Sequence, residues 1–90
     1  MKIFVSLPVE LLSENTDRYW RDLYPKIQKE FPHAEISSSY CGNGSIEGAD
    51  AIIFIYEYKD TKRCREDMER CRELNKPYNF FRKVYAEDFE

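Results

Sequence analysis

Nowhere in its 90 residues does this chain carry an apolar run near the roughly 20 residues that cross a bilayer as a helix, so no membrane partner is expected. Histidine is nearly missing. His33 stands alone beside Pro32, and no Cys/His pair has metal-ligand spacing, so neither a metal nor another cofactor is expected. The three cysteines, Cys41, Cys64 and Cys71, are odd in number. Cys64 and Cys71 are seven residues apart, two turns along one helix face, which is too far for a disulfide. That pattern fits a reduced, cytoplasmic protein. Positive charge is in deficit, with a net charge of −3, which argues against a nucleic-acid backbone or an anionic lipid surface as the main partner. The opening MKIFVSLPVE has one Lys and no long apolar stretch, and reads as a strand rather than a secretion signal. Without such a signal, Asn43-Gly44-Ser45 reads as a turn and not a glycan acceptor. Repeats, linkers and low-complexity segments are also missing, so residues 1–90 read as a single domain.

What is present in excess is aromatic. Seven Tyr, six Phe and Trp20 are more rings than a small core needs, which points to a ring-lined groove or an interface between subunits. The elements alternate along the chain. Lys2 to Leu7 is a short apolar run closed by Pro8, suited to a strand covered on both faces. Ser13, Asn15 or Thr16 can cap a helix with the stripe Trp20, Leu23, Ile27 and Phe31, stopped by Pro32. Pro25 falls inside that stripe, so the helix is expected to kink or restart there. Ala34, Ile36 and Ser38 alternate with polar residues in a more exposed second strand ending near Tyr40. Asp50 to Tyr56 is the clearest strand, central and buried. A second helix follows, ended by Asn75 and Pro77, and then a fourth strand from Tyr78 to Phe81. Arg82 to Glu90 carries no readable pattern.

This order predicts an α/β fold: a small flavodoxin-like or Rossmann-like open parallel sheet of about four strands, with flanking helices and the first strand central. The second and third strands are joined by only about ten residues, YCGNGSIEGA, short for a crossover. One sheet face is therefore expected to be thinly covered and apolar, and open to a second copy of the chain.

In the second helix, CREDMERCRELNKP, a step of about 100° per residue puts Cys64, Met68, Cys71, Leu74 and Asn75 on one arc. Glu66, Glu69, Arg70 and Glu73 face away, where Glu66–Arg70 and Arg65–Glu69 can pair across a turn. Asp67 falls inside the apolar arc, where an unpaired carboxylate is costly. Two readings follow. Asp67 either caps a loop or pairs with an Arg, or it faces the crevice at the carboxyl ends of the strands, where open parallel sheets bind ligands.

Met1 to Pro8, Ala49 to Ile55, and the spacing Cys64, Asp67, Cys71, Leu74-Asn75-Lys76-Pro77 together resemble the nucleoside 2-deoxyribosyltransferase-like proteins, most closely their short branch. The resemblance implies a small flavodoxin-like fold acting on N-glycosidic bonds of nucleosides or nucleoside monophosphates, as a homodimer or larger assembly. It implies that Asp67, at the position of the family's helix Glu, is the nucleophile on the anomeric carbon. It places Glu57 as the second catalytic acid, and Ser6 and Pro8 at the turn shaping the sugar pocket. Tyr40, Tyr56, Asp60 and Arg63 complete the candidate substrate-binding set, with Tyr40 and Tyr56 able to stack a base. The chain departs from the pattern in three side chains. Asp67 is a methylene shorter than Glu, while Leu7 and Arg63 stand where glycines let a ligand approach the backbone. Two other functions fit the same residues. One is a binding module in which Arg63 and Arg65 hold a nucleotide's phosphate without turnover. The other is a protein-interaction domain presenting its aromatics.

Overall fold

The computed structural model describes residues 1–7, 13–39, 45–56 and 61–81. Two uninterrupted apolar runs form the middle of its sheet. Lys2–Ser6 (β1) and Ala51–Ile55 (β3) lie side by side in parallel, with Ile3 opposite Ala51 and Ser6 opposite Phe54. Glu35–Ser38 (β2) pairs with the other side of β1, and Tyr78–Phe81 (β4) with the other side of β3, both in parallel. The order is β2-β1-β3-β4, so the expected open parallel α/β sheet, with β1 in its interior, is what the chain forms. Interior strands of such a sheet face helices on both sides, which is why these two runs lack polar alternation.

Successive side chains point to opposite faces, and each face has its own core. Ile3, Val5, Leu7, Ile53 and Ile55 pack against Tyr19, Trp20, Leu23 and Ile27 of the helix Thr16–Glu30 (α1). Phe4, Ile52 and Phe54 pack against Cys64 and Cys71 of the helix Lys62–Glu73 (α2), together with Ile46 and Ala49 from the short crossover. Ser6 shares the α2 face by the same alternation and is fully buried. Leu7 lies just past β1, held by its own N–H donating to Ser39 Oγ at 3.0 Å.

Several expectations need correction. Pro25 neither ends nor restarts α1, which runs continuously through it. Asn15 occupies the N-cap without a side-chain bond, after a single 3-10 turn, Ser13–Asn15. The apolar exposure expected under the short crossover lies elsewhere among the described residues. Ile46 and Ala49 plug that region, and Glu35 and Ser37 give the neighbouring surface a polar lining. The exposed large rings are instead Tyr78 and Phe80, on edge strand β4.

The end of α2 is built as its sequence suggests. Asn75 adopts a left-handed φ of 54° and donates its N–H to Arg72 O at 3.1 Å, while Lys76 N–H reaches Cys71 O at 3.0 Å. These two bonds form a Schellman motif, and Pro77 follows where the helix cannot continue. Asn75 is therefore out of the helix and exposed, not part of the apolar arc.

Candidate functional site

β1 runs out to β2 on one side through α1, whereas β3 runs out to β4 on the other side through α2. The chain thus reverses direction between β1 and β3, and a crevice opens at their carboxyl ends. Ser6 is the last residue of β1, and the early turns of α2 pass over it.

Thr61 starts α2 as its N-cap, with its hydroxyl accepting from Cys64 N–H at 3.3 Å. That anchor sets the helix phase. Cys64 turns fully inward, with its Sγ 3.6 Å from Ser6 Oγ and 3.9 Å from Ser6 O. One turn later Asp67 follows, its side chain only 13% exposed. Ser6 Oγ donates to Asp67 Oδ2 at 2.5 Å, a short charge-assisted bond across 61 residues of sequence. Arg63 Nε approaches the same oxygen at 3.4 Å. Both contacts fall on Oδ2.

Burial pushes the Asp67 carboxyl above its ordinary range, and the Ser6 hydroxyl and Arg63 guanidinium only partly oppose that rise. Glu66 adds a smaller push in the same direction. A desolvated carboxylate with one fixed oxygen has lost the hydration that makes surface acids weak nucleophiles. It can attack an electrophilic carbon, accept a proton, or stabilise positive charge at a bound ligand.

Asp67 looks into an open groove of about 400 Å³. Phe4 and Ile46 supply its apolar surface, and Ser45, Glu47, Arg63, Glu66 and Arg70 its polar rim. Arg70 Nε holds Glu47 at 2.6 Å, tying α2 to the crossover turn, and its Nη1 holds Glu73 at 3.1 Å. The expected Glu66–Arg70 pair is therefore replaced by these two, and no described ion pair joins Arg65 to Glu69. Glu47, with Arg70 beside it, has its carboxyl pulled below the ordinary range.

Of the candidate site residues, Ser6, Arg63 and Asp67 come together. Both readings of Asp67 hold in part, since it pairs with an Arg and also faces the groove. Ser6 is too buried to wall a sugar pocket directly and acts on Asp67 instead. Tyr56 does not line the groove. Its ring lies edge-on to Phe80, with centroids 6.0 Å apart. Glu57, Pro8, Tyr40 and Asp60 lie outside the described residues. Glu47 and Ile46 were not foreseen as groove residues, because their position depends on how the crossover turn folds back over Phe4. The described residues include no cluster of His, Cys, Asp and Glu suited to a metal ion.

No family model matches the chain, and neither curated proteins nor solved structures give a significant match.

Proposed function

We propose that the protein cleaves or exchanges the N-glycosidic bond of a nucleoside or nucleoside monophosphate, with Asp67 as the nucleophile. The observation that supports this most is a largely buried carboxylate, held by Ser6 at the carboxyl end of β1 and lying beside a groove between α2 and the crossover turn. A carboxylate oxygen of Asp67 attacks the anomeric carbon while the bond to the base breaks. The bond's electron pair leaves with the base, which takes a proton from an acid; Glu57 is our candidate. Water then attacks the glycosyl ester in a hydrolase, or a second base does so in a transferase, and Asp67 is regenerated. Arg63 steadies Asp67 rather than touching the base.

The test is chromatographic release of free base from a panel of ribo- and deoxyribonucleosides. Asp67→Asn is expected to abolish release while the variant remains folded. If ligands shift the melting temperature of both forms and no base appears with either, the crevice serves as a binding module without turnover. That second reading is favoured by the shorter reach of Asp67. Two accompanying inferences concern the molecule's setting. The exposed rings of β4 support self-association, and the buried thiols of Cys64 and Cys71, neither of them in a disulfide, suit a reducing compartment.

A further inference from the structure

The charges lining the groove are unevenly divided. Among the described residues, Glu47, Glu66 and Asp67 face Arg63 and Arg70, a formal balance of −1 from three acids against two bases. The two guanidiniums are already engaged. Arg63 reaches Asp67, and Arg70 holds Glu47 and also Glu73, a fourth carboxylate just beyond the lining. Lys62 and Arg65 are exposed on the same end of α2 but do not line the groove. Cys64 N–H, one of the amides at the start of α2, is taken as well, by Thr61 Oγ1. A phosphate entering here would meet more acids than bases among the described residues, with both lining guanidiniums already holding carboxylates. An uncharged ribose and base would instead meet Phe4, Ile46 and the hydroxyl of Ser45.

We propose that the groove accepts unphosphorylated nucleosides and discriminates against their 5′-monophosphates. This rests on the N-glycosidic reading of the same site and narrows it to one substrate class. One net charge acting on a dianion across a solvated groove corresponds to a preference of roughly tenfold, which added salt should shrink.

The experiment compares base release and ligand-induced melting shifts for each nucleoside and its own 5′-monophosphate. Wild type and Glu66→Gln are measured at low and high salt. The expected result is nucleoside preference in wild type, narrowed both by Glu66→Gln and by salt. If the monophosphate is cleaved or bound as well as the nucleoside, the charge argument is overturned while the N-glycosidic reading stands. If neither compound releases base but the nucleoside alone raises the melting temperature, the selectivity survives and catalysis does not. If neither compound is cleaved or bound, both claims fail.

Discussion

At the scale of single residues, the account turns on the Ser6–Asp67 bond. Because burial raises the Asp67 carboxyl, folding favours its protonated form. The stability this group contributes is present below the ordinary carboxylate pKa and is lost as pH rises through the raised folded value. Asp67→Asn should therefore leave the melting temperature at neutral pH unchanged or higher, and should flatten its change with pH across the carboxylate range. A clear drop at neutral pH would make Asp67 a structural partner of Arg63 instead. Ser6→Ala removes the 2.5 Å hydrogen bond that favours the ionised form, so the acid limb of kcat/KM should move to higher pH. The rate should fall by about 10- to 100-fold, as expected for losing a hydrogen bond to a charged group. The pairing of residues 6 and 67 was legible from helix phase together with the general place of ligands in parallel sheets. The groove's other wall was not, because Glu47–Arg70 depends on a turn whose course no local pattern gives.

At the scale of elements, the apolar runs of β1 and β3 and the Asn75–Pro77 stop were readable because each follows from local chemistry: burial on both faces, a left-handed cap, a missing N–H. The restart allowed at Pro25 does not occur. Local rules favour a break, but Tyr19, Trp20, Leu23 and Ile27 bury one continuous face of α1, and that packing holds the helix together across the defect. Tyr19 itself escaped the predicted stripe because a tyrosine reads equally well as core or surface. Two substitutions test this balance. Pro25→Ala, at an exposed position ten residues into the helix, should stabilise the protein by about 1–3 kcal/mol in denaturant unfolding. Asn75→Val should destabilise it by about 1–2 kcal/mol, because a β-branched residue resists the left-handed cap, whereas Asn75→Gly should be neutral or better. Equal effects of Val and Gly at position 75 would mean that the cap contributes nothing.

At the scale of the whole molecule, two cores on opposite faces of one sheet leave a single aromatic exposure among the described residues. Phe54 lies buried beneath Tyr78 and Phe80, with ring centroids 5.9 and 5.8 Å away, and those outer rings remain open on an edge strand. Light scattering at tens of micromolar should show more than one chain per particle, and Phe80→Lys should return it to one. A monomer before substitution would remove the aromatic surplus as an argument for association. The sheet's strand order brings Ser6, Arg63 and Asp67 together, and the function proposed here depends on a covalent bond formed there. The most direct measurement is intact-protein mass spectrometry during turnover of a nucleoside whose 2-fluoro sugar slows the second step. The account predicts added mass equal to the sugar, mapped by proteolysis to Asp67 and lost in Asp67→Asn. Free base released with no sugar on the protein, or with the sugar on another residue, would contradict it.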